Sequence, residues 1–203
     1  MSPPSVIPIY EQYEDYKPPF DVKRAIERML AVVPEKYLVG LSSIVLTCEN
    51  ALTRKRARSM TWSCGKKVSA ARARGLYHPR WRDNPAWIEL HIDSIFYKYP
   101  WLLLKVKPFR EVELGSTFFH ELGHHIHAQH GPEFKEKEDV AEIWKRKGQN
   151  TYIQKRFWYL SPLVAVLRWL DQHLNLQARL RNAAAKRSAA ARSNPRSLTR
   201  KTK

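Results

Sequence analysis

Apolar residues recur along this chain at two spacings, one typical of helices and the other of strands. Helical spacing begins after Asp21, whose side chain is suited to cap a helix, and it stops at Pro34. Residues 37–48 are rich in β-branched and apolar side chains and favour a strand. Residues 87–92 alternate between apolar and polar side chains, which predicts a half-buried strand.

The second half of the chain has mainly helical spacing. Residues 93–109 predict a short helix and then a loop that contains two prolines. A longer amphipathic helix is predicted over about residues 111–129, because large apolar side chains fall on one side of it. Those side chains are Leu114, Phe118, Phe119, Leu122 and Ile126.

Glycine and proline then divide the chain into further helices. The pair at 131–132, Gly-Pro, breaks the long helix, and proline is allowed at the first position of a new one. That helix is predicted over about 133–147, with its end at Gly148. A further helix covers about 151–178, with Pro162 as a kink or a start.

These elements predict one α+β domain with appendages. Residues 1–19 are rich in proline and tyrosine, and we expect them to form an extended arm. Residues 20–150 form the domain, in which 53–82 is a basic insertion. Residues 151–178 form a helical C-terminal region, and 179–203 form a basic tail that we expect to be largely disordered.

Composition indicates a folded protein of a reducing compartment. Hydrophobic residues make up 43% of the chain, enough for a core. The N-terminus has no charged start followed by an apolar run, so no signal peptide is predicted. The most apolar late stretch, 157–167, is too short for a bilayer, which needs about 20 residues. Cys48 and Cys64 form no metal or disulfide pattern, so we expect a cytoplasmic protein with reduced thiols.

The net charge of +17 is concentrated in two segments. Residues 50–82 hold ten Lys or Arg and residues 178–203 hold nine, and neither segment contains an acid. Segments of this kind favour a polyanionic partner such as a nucleic acid. The candidate contacts in the first segment are Arg54, Lys55, Arg56, Arg58, Lys66 and Lys67, with Trp62, Tyr77 and Trp81 available to stack on bases.

The run His120-Glu121-Leu122-Gly123-His124 is the strongest chemical signal in the chain. It is an H-E-x-x-H motif on a predicted helix, where residues four apart share a face. Both imidazoles can therefore reach one metal ion, and Glu121 is placed to take a proton from water at that metal. Three protein ligands and one open position suit a hydrolytic zinc site.

Two residues are candidates for the third zinc ligand. If the break at 131–132 is the bend of a helical hairpin, Glu138 is level with His124 and its carboxylate can face the metal. Glu142, one turn further on, can then accept a hydrogen bond from a ligand histidine. The alternative is His130, which can reach the metal if the chain turns sharply after His124.

Two family resemblances follow from these residues. Leu-Gly-Ser-Thr-Phe-Phe-His-Glu-Leu-Gly-His-His-Ile-His at 114–127, with Glu-Asp-Val-Ala-Glu-Ile-Trp at 138–144, resembles the ImmA/IrrE-like metallopeptidases. That resemblance implies a zincin-like fold, in which a small mixed sheet packs on the motif helix, with Glu138 as the third zinc ligand. The segment His-Gly-Pro-Glu-Phe at 130–134 resembles the SprT-like (Spartan) proteases, which cleave proteins crosslinked to DNA, and implies His130 instead.

The function expected from these residues is zinc-dependent hydrolysis of peptide bonds in a protein or peptide substrate, with Glu121 as general base. The strand at 87–92 could be a sheet edge that pairs with the substrate. His78 is a weak candidate for stabilising the oxyanion, and the sequence leaves the direction of His91 open.

Two other functions are consistent with the sequence. One is a nucleic-acid-associated protein, either a DNA-linked protease that uses His130 or a basic DNA or RNA binder with a structural metal site. The other is a regulatory protease that docks a partner through residues 151–178.

Overall fold

The computed structural model describes residues 7–63, 66–130, 137–160 and 162, apart from the side chains of residues 62, 63, 66, 130 and 137. Contacts divide the chain into two compact units, residues 1–156 and residues 157–203. In the second unit, the described residues form a single 3-10 turn, Trp158–Leu160, and residues 163–178 of the predicted C-terminal helix lie outside the described part. The first unit contains helices and a small mixed sheet, so the predicted α+β class is confirmed.

A four-stranded sheet forms the centre of the first unit. Its strand order is β1-β2-β6-β5, in which the first three strands are parallel and β5 is antiparallel to β6. A separate antiparallel pair, β3-β4, lies within the basic segment. The strands are β1 Ile9–Gln12, β2 Leu41–Thr47, β3 Met60–Ser63, β4 Lys66–Ser69, β5 Gly75–His78 and β6 Ala86–His91.

Six α-helices accompany the sheet in the described residues: α1 Val22–Leu30, α2 Arg54–Arg58, α3 Ile92–Phe96, α4 Trp101–Lys105, α5 Lys107–His130 and α6 Lys137–Arg156. The predicted cap of α1 is confirmed, because the Asp21 carboxylate accepts a hydrogen bond from the backbone of Arg24 at 2.9 Å. Two short helices replace the helix and loop predicted over 93–109. Among the described residues, no helix is long and apolar enough to cross a bilayer.

Two ends of predicted segments join the main sheet. Part of the N-terminal arm forms β1. This strand pairs with β2, so its backbone N–H and C=O groups are hydrogen-bonded to that strand. The basic segment 53–82 is not wholly an insertion, since its last residues form the edge strand β5. These two strands close the sheet on either side of β2 and β6.

The predictions for residues 87–92 were wrong on two points. The strand β6 lies inside the sheet between β2 and β5, so it is not an edge. It is also buried on both faces rather than half-buried, because Ile88 and Leu90 face the helical core while Glu89 and His91 are covered on the other side. The alternation of apolar and polar residues in β6 therefore arises because one buried face of the strand is apolar and the other buried face is polar.

The predicted helix end at Gly148 was also wrong, because α6 continues through Gly148 to Arg156. A side chain at this position would collide with Phe119, since a Cβ atom there would lie 2.4 Å from the ring. Glycine is present here because α5 and α6 pack closely. It does not terminate the helix.

A buried carboxylate sets the register of α6 against α5. Arg28 of α1 donates to Glu111 of α5 over 3.0 Å, and the hydroxyl of Tyr152 on α6 donates to the second oxygen of that carboxylate. Arg156 lies 3.7 Å from the same oxygen. Burial, and then the hydrogen bond to Glu111, raise the pKa of Tyr152 to about 12, so the phenol stays protonated and donates at neutral pH.

A second buried carboxylate, Glu89, lies on the side of the sheet that faces away from α5. It forms an ion pair with Arg56 of α2, and His78 of β5 lies 2.9 Å from it. Burial acts to raise the pKa of Glu89, but hydrogen bonding from His78, the neighbouring His91 and the charge of Arg56 together lower it from 4.5 to about 2. Glu89 is therefore ionised at neutral pH.

The depressed pKa of Glu89 predicts acid-dependent stability. A carboxyl group with a lower pKa in the folded chain than in the unfolded chain contributes stability above about pH 5 and loses it as the pH falls toward 2. We expect Glu89→Gln to lower the free energy of unfolding at pH 7 by about 3 kcal/mol. Urea unfolding should show this difference shrinking between pH 5 and pH 3.

The control is Glu35→Gln, which removes an exposed carboxylate. It should change stability little at any pH. If Glu89→Gln lowers the free energy of unfolding by the same amount at pH 7 and at pH 3, the ionised Glu89 does not stabilise the fold as described.

Candidate metal centre

The two histidines of the motif lie on the buried side of α5, four residues apart. Both residues are almost completely buried, with His120 6% and His124 7% exposed. Their Nε2 atoms are 3.2 Å apart, so both rings point to one spot. This is the arrangement that helical spacing dictates when two imidazoles share a helix face.

Helix α6 brings a carboxylate to the same spot. Glu138, in the first turn of α6, has one carboxylate oxygen 3.6 Å from Nε2 of His120 and the other 3.7 Å from Nε2 of His124. Its side chain is 47% exposed, so the group opens toward solvent on the α6 side. Atoms of all three residues lie within 4.8 Å of one another.

This donor set fits zinc. Zinc binds imidazole nitrogens and carboxylate oxygens at about 2.0–2.2 Å, and tetrahedral geometry then separates the ligand atoms by about 3.3–3.6 Å. The separations of 3.2, 3.6 and 3.7 Å match that requirement closely. Three protein ligands leave the fourth position for water or substrate, which a catalytic site needs and a closed structural site lacks.

Contact between the backbones of α5 and α6 explains how Glu138 reaches the histidines. A Cβ atom on Gly123 would lie 2.6 Å from the Cα of Ala141, so Gly123 has no space for a side chain, and Ala141 is fully buried opposite it. Gly123 lies within the motif, and Ala141 is one turn after Glu138. The small pair therefore lets the helices approach at the level of the metal ligands.

Glu142 lies behind the first histidine. Its carboxylate is 4.0 Å from Nδ1 of His120, and it also accepts a hydrogen bond from Lys145 at 3.1 Å. Burial lowers the pKa of His120, while the charges of Glu138 and Glu142 oppose that effect. The imidazole is therefore neutral at neutral pH, which is the form that binds a metal.

Glu121, the predicted base, is buried between α5 and the edge strand β5. A Cβ atom on Gly75 would lie 2.8 Å from the Glu121 side chain, so glycine at this point of the strand makes room for the carboxylate. Only 4% of Glu121 is exposed. The Glu121 side chain thus packs against the backbone of β5.

The third histidine of the run, His125, is engaged elsewhere. Its Nε2 lies 3.0 Å from the carbonyl oxygen of Val39, and its Nδ1 lies 3.3 Å from the hydroxyl of Tyr77. The carbonyl oxygen of Val39 can only accept, so Nε2 of His125 donates to it and Nδ1 accepts from the Tyr77 hydroxyl. Burial raises the pKa of Tyr77, so the hydroxyl keeps its proton. His125 holds α5 to the sheet and does not face the metal ligands.

Helix α5 remains helical to His130, the alternative third ligand. The sharp turn after His124 that the alternative requires is absent from this helix. Six residues of α-helix carry His130 about 9 Å along the axis beyond His124. The side chain of His130 lies outside the described part of the chain.

The other candidates from the sequence are distributed over different surfaces. Arg54, Lys55 and Arg58 of α2 are exposed, as is Lys67 of β4, and the side chains of Lys66 and Trp62 lie outside the described part. Tyr77 faces α5, so it cannot also stack on a base from the opposite side of the sheet. His78 and His91 lie near Glu89 on that opposite side, which removes His78 as a candidate for the oxyanion.

Two residues that position the site carried little signal in the sequence. Gly75 stands alone at the end of a basic segment, and nothing in its neighbours indicates a glutamate packed against it. Lys145, which pairs with Glu142, belongs to a run of helical charges that also suits a solvated surface. Both roles depend on which elements meet in three dimensions.

Comparison of the chain with protein-family models, with curated proteins and with solved structures gives no significant match. The geometry of the site is therefore the basis for proposing a function.

Gly123→Ala tests the helix contact. We expect the new methyl group to push α6 away from α5, lower the free energy of unfolding by about 1–3 kcal/mol and weaken zinc binding. Urea unfolding and a zinc titration measure the two effects.

The matched control is Gly115→Ala in the same helix. A Cβ atom there meets its nearest neighbours at an ordinary 3.5 Å, so the substitution should be neutral, or stabilising by up to about 1 kcal/mol. Equal stability and equal zinc affinity in the two variants would disprove the proposed role of the contact.

Proposed function

We propose that this protein is a zinc-dependent metallopeptidase, with His120, His124 and Glu138 as zinc ligands and Glu121 as general base. The observation that carries the proposal is the convergence of the two motif imidazoles with a carboxylate from a separate helix at tetrahedral separations. The motif alone could be two structural histidines. The matching carboxylate from α6 is what favours a metal site.

The proposal includes a zincin-like fold of the kind implied by the resemblance to the ImmA/IrrE-like metallopeptidases. It is supported by a mixed sheet whose antiparallel edge strand, β5, runs beside the motif helix. It is also supported by the position of Glu138 at the start of the next helix.

When bound, zinc supplies a Lewis acid that lowers the pKa of water from about 16 toward 7 and polarises the carbonyl of the scissile peptide. Glu121 takes the proton from the attacking water and later delivers it to the leaving amine. Burial between α5 and β5 restricts that carboxylate to the side of the site next to the sheet. Glu142 positions the ring of His120 from behind.

The substrate is proposed to bind as an extended strand along β5. Among the described strands of the main sheet, β5 lies at one edge, and its Gly75 contacts Glu121. An extended peptide that hydrogen-bonds to this edge would pass its backbone across the general base. This assignment replaces β6, which is interior to the sheet.

An intracellular peptidase is the form of the proposal that the sequence favours, and Cys48 is a buried free thiol in keeping with it. A purely structural metal site does not explain the glutamate at position 121 of the motif, because such sites need no general base. The partner-docking alternative for residues 151–178 depends mainly on residues outside the described part.

Zinc content tests the ligand set. Elemental analysis of the purified chain should give about one zinc per chain, and Glu138→Gln should lose it. Asp139→Asn is the matched control, since it removes the same charge from the adjacent exposed position of α6 and should keep the metal. His130→Ala should also keep it.

Two outcomes would contradict this ligand set. Zinc retained in Glu138→Gln but lost in His130→Ala would transfer the assignment to His130 and favour the DNA-linked protease. A wild-type chain without zinc after metal supplementation would exclude the enzyme.

Peptidase activity is tested separately with Glu121→Gln, which should bind zinc normally and lose at least about 100-fold in rate. A peptide library made from digested cellular protein supplies many sequences at once, and mass spectrometry counts the new termini. The variant serves as the blank. Equal numbers of new termini from the wild type and Glu121→Gln would rule out peptide hydrolysis by this site.

A further inference from the structure

A groove of about 700 Å³ crosses the face of the main sheet that points away from α5. Side chains at paired positions of adjacent strands line it, because residues in register share a face of the sheet. Tyr10 of β1, Val45 of β2 and Glu89 of β6 form one such row, and Ser43 and Trp87 belong to the next. The metal centre lies on the opposite side, where Gly75 and Tyr77 contact α5.

A stacked pair of aromatic rings, Trp87 and His78, lines the floor of this sheet-face groove. The ring of Trp87 stacks on His78 with centroids 3.9 Å apart and planes only 9° from parallel. The guanidinium of Arg56 lies 5.8 Å from the Trp87 ring centroid. Glu89 contacts both Arg56 and His78, so it connects the two residues that flank the Trp87 ring.

Two exposed aromatic residues rise from the rim of the groove. Tyr10 on the edge strand β1 is 53% exposed, and Trp81 in the loop between β5 and β6 is 69% exposed. Both line the groove. Two exposed aromatic side chains that line one groove offer flat apolar surfaces to a ligand there.

Basic side chains lie on the elements that border the groove. Glu89, the carboxylate in the floor, is paired with Arg56 and hydrogen-bonded to His78. Arg54, Lys55 and Arg58 are exposed on α2, the helix that supplies Arg56 to the groove. Arg82 lies over the Trp81 ring at 5.9 Å.

We propose that the sheet-face groove binds single-stranded nucleic acid, with bases stacked on its aromatic residues and phosphates held by the basic residues around it. An unpaired strand offers flat aromatic faces and regular negative charge together, and the groove presents the complement of both. A duplex hides the faces of its bases. Tyr10 lies on β1 and Trp81 in the loop that leads into β6, and the sheet order separates these two strands by two strand spacings, about 10 Å.

This inference is independent of the proposed peptidase, because no metal ligand lines the groove. Of the residues expected to stack on bases, Trp81 lines the groove and Tyr77 does not. Tyr77 is turned toward α5, whereas Tyr10 and Trp87, which carried no such signal, face the groove.

The test is fluorescence anisotropy of a labelled 15-nucleotide oligothymidine with the full-length chain at 50 and 150 mM NaCl. Saturable binding that weakens with salt is expected. The double variant Tyr10→Ala/Trp81→Ala should weaken it at least about 10-fold, since each stacked base contributes about 1–3 kcal/mol. The matched control is Tyr97→Ala/Trp101→Ala, which removes two equally exposed aromatics outside the groove and should leave the affinity within about 2-fold.

Several results would overturn the proposal. One is the absence of saturable binding at 50 mM NaCl. Another is an equal loss of affinity in the groove and control variants, which would assign binding to general charge or to the basic tail. Loss of binding in Glu138→Gln with the groove variant unchanged would assign the oligonucleotide to the metal centre. Displacement of the oligonucleotide by micromolar thymidine monophosphate would identify a free nucleotide as the ligand. Circular dichroism of every variant ensures that the chains compared are folded.

Discussion

The close approach of α5 and α6 at Gly123 and Ala141 is the constraint on which the candidate metal centre depends. Two histidines on one helix can hold a metal only weakly, and a third ligand must come from another element at a fixed height. The glycine and alanine remove the side chains that would keep the helices apart. At the far end of the pair, the buried Glu111 with its partners on α1 and α6 prevents one helix from sliding along the other.

The sheet separates two chemically different surfaces. On one face, Gly75 and Tyr77 of the edge strand contact α5, and this places backbone beside Glu121 and anchors His125. On the other face, β5 supplies His78, and β6 supplies Trp87 and Glu89, to a groove with basic surroundings. Because side chains alternate along a strand, a single pair of strands can serve both faces without sharing a residue.

Local chemistry made part of this structure predictable. The cap at Asp21 and the shared face of His120 and His124 follow from helix geometry over a few residues. The position of Glu138 beside the histidines was predictable because a helical hairpin with its bend at the glycine-proline pair places Glu138 level with His124. The continuation of α6 through Gly148 and the interior position of β6 were not predictable in this way. In both cases a contact distant in sequence decides the outcome, since Phe119 fills the space at Gly148 and β5 covers the edge of β6.

Anomalous diffraction at the zinc absorption edge, from crystals grown with zinc, tests the central claim most directly. The account predicts one strong peak about 2.0–2.2 Å from Nε2 of His120, Nε2 of His124 and a carboxylate oxygen of Glu138. A peak bound by His130 in place of Glu138, or no peak between the two motif histidines, would contradict it.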